Sequence, residues 1–260
     1  MELRMYQIDA FADRLFSGNP AAVCPLESWL PDEVMQQIAA ENNLAETAFY
    51  IRHDGGFDLR WFTPAVEVDL CGHATLAAAH VVFTHDCFPH DTIQFTSKSG
   101  ILRVRRDGDR LVLDFPVDTV EPVTVPQILI DALGREPIES YRGKTDYMLV
   151  YGVEEHVAGL TPDLVDLATV PARGIIVTAP GRQVDFVSRF FAPQVGVPED
   201  PVTGSAHTTL TPYWAARLGK NELTARQLSK RQGSLRCTLV GNRVDIAGRA
   251  VPYLEGTITI

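Results

Sequence analysis

The stretch Arg60-Trp61-Phe62-Thr63-Pro64-Ala65-Val66-Glu67-Val68 returns in altered form as Arg189-Phe190-Phe191-Ala192-Pro193-Gln194-Val195-Gly196-Val197. A glycine follows each copy, Gly72 or Gly204, and opens a sequence of helical character that contains Ala-Thr-Leu or Thr-Thr-Leu. The copies lie about half the chain apart, a period too long for a solenoid. The repeat predicts two similar domains, each a sheet wrapped around one central helix.

The pattern around these copies predicts short strands in both halves of the chain. The helix after Gly72 is apolar almost all round, which predicts burial on every side. Residues 116–126 hold three prolines and no helical pattern, so they form the best linker candidate. We therefore predict a first domain over residues 1–117, joined by a C-terminal strand at 252–260, and a second domain over 118–251.

Composition limits the classes of function. The chain has 260 residues, and its formal net charge of −10 makes nucleic acid an unfavourable partner. No apolar run reaches the length of a membrane span. The N-terminus lacks the apolar region of a signal peptide, and the four cysteines form no C-x-x-C pair. These features predict a cytoplasmic protein with reduced thiols and no membrane partner.

The two helix starts are candidate binding sites. Each offers unpaired backbone N–H groups and the positive end of a helix dipole, which suit a carboxylate. Gly72 and Gly204 would allow a ligand close to the backbone. Ser205 could cap the second helix and donate to the substrate. The alternative is that both segments are ordinary capped helices with permissive glycines.

Glu46 and His73 are the candidate acid/base residues. Glu46 stands among apolar neighbours just before a strand, and burial would raise its pKa toward neutrality, as proton transfer near pH 7 requires. His73 follows Gly72 at a helix start, where the dipole favours a neutral imidazole. The alternatives are a solvent-facing glutamate and a bystander histidine.

Cys71 and Asp200 complete the candidate set. The helix dipole could activate Cys71 as a thiolate, but a two-thiol racemase needs a second cysteine at the other helix start, and residues 198–208 contain none. Asp200 is a candidate second polar group, or else a plain loop aspartate. No paired Cys/His ligands with metal spacing occur, so the sequence predicts no metal.

Five ordered motifs together resemble the phenazine biosynthesis-like (PhzF-like) family over nearly the whole chain. They are Gly18-Asn19-Pro20-Ala21-Ala22-Val23, Asn43-Leu44-Ala45-Glu46-Thr47-Ala48-Phe49, Arg60-Trp61-Phe62-Thr63-Pro64, Cys71-Gly72-His73-Ala74-Thr75-Leu76-Ala77 and Glu199-Asp200-Pro201-Val202-Thr203-Gly204-Ser205-Ala206.

The resemblance implies an α+β fold like that of diaminopimelate epimerase. It would have two pseudo-symmetric domains, each a barrel-like, mostly antiparallel sheet around a central helix, with the active site in the cleft. It also implies a homodimer without metal, nucleotide or pyridoxal cofactor. The family's acid/base glutamate falls on Glu46, its histidine on His73, its aspartate on Asp200 and its substrate-contacting serine on Ser205.

Together these observations predict an isomerase that moves a proton on a small carboxylate substrate. Glu46, His73 and Asp200 are its predicted catalytic residues. The predicted substrate contacts are Asn19, Cys71, Gly72, Gly204 and Ser205. Two alternatives stay open: a non-catalytic binding or interaction protein that keeps the fold, and an epimerase that uses the thiol of Cys71.

Overall fold

The computed structural model describes all residues, 1–260, and the chain divides into two compact units. One unit comprises Met1–Phe115 with Asp245–Ile260, and the other comprises Pro116–Val244. The sequence-based boundaries stood at 117/118 and 251/252. The chain returns to the first unit before residue 252, because Ala250 already pairs with Ala10 in a strand.

The first unit holds one run of paired strands and two long helices. Its strands are β1 (Glu2–Ala10), β2 (Asn19–Leu26), β3 (Glu46–His53), β4 (Gly56–Phe62), β5 (Glu67–Val68), β6 (Thr92–Ser97), β7 (Gly100–Asp107), β8 (Arg110–Pro116) and β17 (Ala250–Thr259). Its helices are α1 (Asp32–Asn42) and α2 (Gly72–Thr84). The pairs β2–β3 and β4–β6 are parallel. The pairs β17–β1, β1–β2, β3–β4, β6–β7 and β7–β8 are antiparallel.

The second unit repeats this order of pairs. Its strands are β9 (Glu121–Pro122), β10 (Glu139–Arg142), β11 (Asp146–Val150), β12 (Gly174–Pro180), β13 (Phe186–Phe191), β14 (Glu222–Gln227) and β15 (Gly233–Val240). Its helices are α3 (Gln127–Leu133), α4 (Glu154–Ala158), α5 (Leu164–Leu167) and α6 (Gly204–Leu218), and β16 (Arg243–Gly248) spans the division between the units. The pairs β11–β12 and β13–β14 are parallel, and β10–β11, β12–β13 and β14–β15 are antiparallel. Both units therefore show the pairing order that a duplication produces.

The central helix of the first unit is α2, which packs against β1, β2, β3 and β17. Ten of its residues are buried, from His73 to Phe83, which confirms the predicted burial on every side. Alanine fills much of the helix, so the backbone can approach the surrounding strands closely. Full burial of a side chain such as Leu76 or Val82 stabilises the fold by about 1.5–3 kcal/mol.

The central helix of the second unit, α6, contains an internal proline. Pro212 has no N–H to donate to the carbonyl oxygen of Thr208, which would leave a helical acceptor open. The backbone N–H of Asp118 donates to that oxygen instead, at 3.3 Å. The helix ends at Gly219, which adopts the left-handed conformation typical of helix C-termini.

Candidate active site

Two neighbouring strands, β2 and β3, begin at the same edge of the first unit's sheet. The parallel strands β2 and β3 begin at Asn19 and Glu46, and their register places Ala21 opposite Glu46. Gly18 makes the turn into β2 with φ +70°, and a Cβ there would stand 2.3 Å from the carbonyl oxygen of Ala10. Only glycine fits this turn, which places Asn19 beside the start of α2.

Four of the predicted residues meet at this edge; Asn19, Glu46, Cys71 and His73 are called the acid/base cluster below. The imidazole Nε2 of His73 lies 3.1 Å from Oε2 of Glu46. Its other nitrogen, Nδ1, lies 3.2 Å from the Asn19 amide nitrogen and 3.5 Å from Sγ of Cys71. His73 is 5% exposed, whereas the Glu46 side chain is 18% exposed. The cluster is thus a buried imidazole with a carboxylate at one nitrogen and a thiol at the other.

The contact between Glu46 and His73 has the distance of an ion pair but not the alignment of a hydrogen bond. Both Oε2 of Glu46 and Nε2 of His73 are buried and make no hydrogen bond in the structure. The low exposure of both atoms strengthens the electrostatic attraction between the carboxylate and the imidazole, because little water screens it.

The start of α2 supplies backbone donors next to the cluster. Cys71 is the N-cap residue, and its side chain makes no capping hydrogen bond to the helix. The hydroxyl of Thr75 donates to the carbonyl oxygen of Cys71 and fixes the first turn. The N–H groups that follow, starting at Gly72, are the predicted binding groups for a negatively charged oxygen.

Burial decides the protonation of the thiol. It raises the pKa of Cys71 to about 11, and the nearby Glu46 adds to this effect, while His73 opposes it. Cys71 is therefore a neutral thiol near pH 7, not the thiolate that the helix dipole suggested. The outcome disfavours a thiol as the resting base of the site.

The pKa of His73 is shifted in the direction opposite to the prediction. Burial lowers its pKa, but Cys71 and Glu46 raise it further, and the net result is a pKa well above the usual value of histidine. The carboxylate of Glu46 beside the ring favours imidazolium, an effect that the prediction from the dipole of α2 left out. This direction runs against the predicted neutral state of His73.

The second unit holds the other predicted residues at the start of α6. Asp200 accepts a hydrogen bond from the hydroxyl of Thr203, the N-cap residue of the helix. Gln227, fully buried at the end of β14, donates to the carbonyl oxygen of Asp200 at 2.8 Å and accepts from the backbone N–H of Thr203 at 2.9 Å. Ser205 is the second residue of α6 and does not cap it, so the predicted capping role of Ser205 is wrong.

Sequence reasoning missed an arginine beside Ser205. Arg173 donates through Nη2 to the hydroxyl oxygen of Ser205 at 3.1 Å. It also forms a two-point ion pair with the buried Asp146, with Nε 2.9 Å from Oδ1. Gly174 leaves room for the aromatic ring of Phe190 below the guanidinium, because a Cβ there would stand 2.2 Å from the ring. In the sequence, this site could have been indicated by an arginine that stands directly before the predicted strand now seen as β12.

The acid/base cluster also contains the donor types that hold transition metals. One ligand atom each from Glu46, Cys71 and His73 lies within 4.8 Å of the others. Sequence spacing did not reveal this group, because the glutamate comes from a strand and the other two residues from a helix start.

Comparison with known proteins identifies the family. Residues 8–256 match the phenazine biosynthesis-like protein family, PhzC-PhzF. The chain belongs to this family. An uncharacterized isomerase of Pseudomonas aeruginosa is 53% identical over 99% of both chains. The crystal structure of a phenazine biosynthesis protein of the PhzF family from Enterococcus faecalis has a TM-score of 0.98 and 47% identity over 100% of both chains. The predicted family is thereby confirmed, and the relatives support an isomerase.

Fold similarity extends to epimerases. The structure of a hydroxyproline epimerase from Agrobacterium vitis has a TM-score of 0.63 and 9% identity, over 99% of this chain and 92% of that one. This likeness confirms the predicted α+β fold of the epimerase type. Among the helices described above, none is long and apolar enough to cross a bilayer.

Proposed function

We propose that this protein is a cofactor-independent isomerase that moves a proton on a small carboxylate substrate, with Glu46 as the acid/base. The observation that carries the proposal is the buried contact of 3.1 Å between Oε2 of Glu46 and Nε2 of His73. A partly exposed carboxylate next to a buried imidazole can exchange protons with a substrate while water is largely excluded.

In the proposed reaction, the Glu46 carboxylate removes a proton from a carbon near the substrate's carboxylate. The electron pair of the broken C–H bond moves into an enolate-like system, and Glu46 then returns the proton to another carbon. The N–H groups from Gly72 onward and the protonated His73 stabilise the negative oxygen that forms in between. No electron is gained or lost, so the reaction needs no redox partner.

The second unit's residues have proposed roles in the same reaction. We assign Asp200 as a further acid/base group, and Gly204 and Ser205 as donors to the substrate. Asn19, Cys71 and Gly72 are the proposed substrate contacts of the first unit, and the homodimer and cytoplasmic location predicted above belong to the same proposal. Support comes from the hydrogen bonds that fix Asp200 and Ser205 at the start of α6.

Deuterium uptake from D₂O tests the reaction without knowledge of the pathway. The protein is incubated, with EDTA present, with small amino and hydroxy acids, including trans-4-hydroxy-L-proline and cyclic dienoic acids. Mass spectrometry then reports the uptake of deuterium at carbon. We expect uptake into at least one compound, and a loss of roughly 10²–10⁴-fold in Glu46→Gln.

The control is Glu41→Gln, which changes an exposed glutamate in α1 and should exchange like the wild type. Full exchange in Glu46→Gln would contradict the assignment of the base. Saturable binding of one compound without any uptake would instead favour the binding-protein alternative.

A further inference from the structure

We propose that the acid/base cluster binds a zinc ion reversibly, through Cys71 and His73, and that the bound ion blocks the site. The ion would act as an inhibitor and not as a cofactor. The binding itself is independent of the proposed reaction, whereas the inhibition rests on it.

The thiol and the imidazole of the cluster have the spacing of two zinc ligands. Sγ of Cys71 and Nδ1 of His73 lie 3.5 Å apart. Zinc binds sulfur at about 2.3 Å and imidazole nitrogen at about 2.0–2.1 Å, so two such ligands in a tetrahedral site stand roughly 3.5 Å apart. The separation of these two atoms therefore matches that of two ligands of one zinc ion. The Asn19 amide, 3.2 Å from Nδ1, has to turn aside.

Glu46 lies where a carboxylate can orient a metal-binding histidine. A histidine that binds a metal through one nitrogen commonly donates its other N–H to a carboxylate, which orients the ring and makes it a stronger ligand. Here Oε2 of Glu46 already lies 3.1 Å from Nε2 of His73, the nitrogen opposite the thiol. Both atoms are buried and lack a hydrogen bond. Metal binding at Nδ1 would displace any proton from that nitrogen and leave the proton of the neutral imidazole on Nε2, facing Glu46.

The charges of the cluster can balance those of a divalent cation. A bare cation is unfavourable beside the positive end of α2 and in a buried site. A thiolate from Cys71 and the carboxylate of Glu46 together neutralise the two charges of Zn²⁺, so the assembly carries no net charge. The Glu46 side chain is 18% exposed, so solvent reaches this edge of the cluster.

The donor types select the ion. Sulfur and imidazole nitrogen suit zinc, whereas magnesium and calcium require sets of oxygen ligands. Because only two side chains bind directly, the site should be weaker than a structural zinc site with four protein ligands. Weak, reversible binding is what an inhibitory site requires.

Calorimetric titration of the metal-free protein with zinc chloride tests the binding. The titration uses Cys87→Ser as the reference protein, since Cys87 is an exposed free thiol that could bind zinc by itself. We expect one ion per chain in this reference. Cys71→Ser and His73→Asn, each added to it, should weaken binding by roughly 100-fold or more, and Glu46→Gln by roughly 10-fold.

Cobalt(II) gives a second, spectroscopic measurement. A cobalt–thiolate bond produces a charge-transfer absorption, which should appear in the Cys87→Ser protein and disappear when Cys71→Ser is added. Zinc affinity that survives Cys71→Ser, or a single ion lost with Cys87→Ser alone, would overturn the proposal. Cys24→Ser, at a buried thiol outside the cluster, should leave both signals intact.

Inhibition is measured separately, as the deuterium exchange of any active compound with zinc and then with EDTA added. Zinc should abolish exchange and EDTA should restore it. If no compound exchanges but the titrations behave as expected, the reaction proposal fails while the zinc site stands. If exchange is unaffected by saturating zinc, the inhibitory role is wrong.

Discussion

The two central helices begin alike but carry different chemistry. The second helical residue is His73 in α2 and Ser205 in α6. The first residue of β3, Glu46, brings a carboxylate to His73, whereas Arg173, directly before β12, brings a guanidinium to Ser205. The duplicated frame therefore holds a carboxylate–imidazole pair in one unit and a fixed hydroxyl in the other.

The arginine that opens each repeat forms the same kind of ion pair in both units. Arg60 forms a two-point ion pair with Glu67, and Arg189 forms one with Glu199. When the two copies of the repeat are written one above the other, Gly196 stands opposite Glu67. Glu199 therefore does not correspond to Glu67 by its position in the repeat. Counted from the helix start, however, both glutamates stand five residues before it. The position of the glutamate is thus fixed relative to the helix start. The two units differ in the length of the loop between the arginine and the glutamate.

The largest expected difference between the helix starts is in catalysis. His73→Asn should reduce deuterium exchange by roughly 10²–10³-fold, since the imidazolium beside Glu46 is lost. Ser205→Ala should reduce it by only about tenfold, the value of one hydrogen bond to the substrate. Exchange rates of both variants, with circular dichroism as a folding control, check this ranking. Equal losses would show that His73 and Ser205 contribute equally to the rate.

A second difference lies one turn into each helix, where an equivalent pair of residues contacts the N-cap carbonyl. Thr75 in α2 donates to the carbonyl oxygen of Cys71, and His207 in α6 contacts that of Thr203 through Nδ1 at 2.8 Å. Burial lowers the pKa of His207 to about 4, against a small opposing effect of that carbonyl. His207 is therefore neutral in the folded protein at moderately acidic pH.

This histidine should make the second unit sensitive to acid. Below pH about 6.5 the unfolded chain takes up a proton at this residue and the folded chain does not, so stability falls as the pH drops toward about 4. The loss should be on the order of 3 kcal/mol over this window. His207→Thr, which copies the residue of α2, should flatten the dependence of unfolding free energy on pH. The reference is His90→Thr, a matched substitution at an exposed histidine, measured under the same conditions.

The division into two units and the starts of both central helices could be predicted from the sequence. The repeated Arg-aromatic-Phe stretch and the glycines after it indicated two units and both helix starts, because local periodicity and turn residues carry that information. It also indicated Glu46 and His73, although the charge of His73 required the contact distance between them. Protonation depends on neighbours that strand pairing brings together, and Glu46 is distant in sequence from α2.

Strand register hid the Arg173 site in the same way. The parallel pairing of β11 with β12 places Asp146 opposite Gly174, next to Arg173. No local pattern links an aspartate at one strand start with an arginine before the next strand. No local pattern indicated the buried Gln227 either. This residue fixes the loop at Asp200 but belongs to β14, which is distant from that loop in sequence.

The repeated ion pairs should differ in their effect on stability. Arg60 keeps Asp32, at 2.9 Å, when Glu67 is removed, whereas Arg189 keeps only the carbonyl oxygens of residues 157 and 160. Glu199→Gln should therefore lower the unfolding free energy by about 2 kcal/mol, and Glu67→Gln by about 1 kcal/mol. Urea unfolding of both variants checks the order. A larger loss in Glu67→Gln would mean that Asp32, which is largely exposed, contributes little.

The last comparison concerns Arg173, which we expect to act as a positioning residue. Its N–H donates to the oxygen of Ser205, so the serine hydroxyl has to point its own hydrogen elsewhere, toward a bound acceptor. Arg173→Met should then reduce deuterium exchange about tenfold, like Ser205→Ala. If the arginine works through the serine, the double variant should be no slower than either single one. Additive losses would instead assign Arg173 a separate contact with the substrate, and a recovery of rate in Arg173→Lys would show that charge alone is enough.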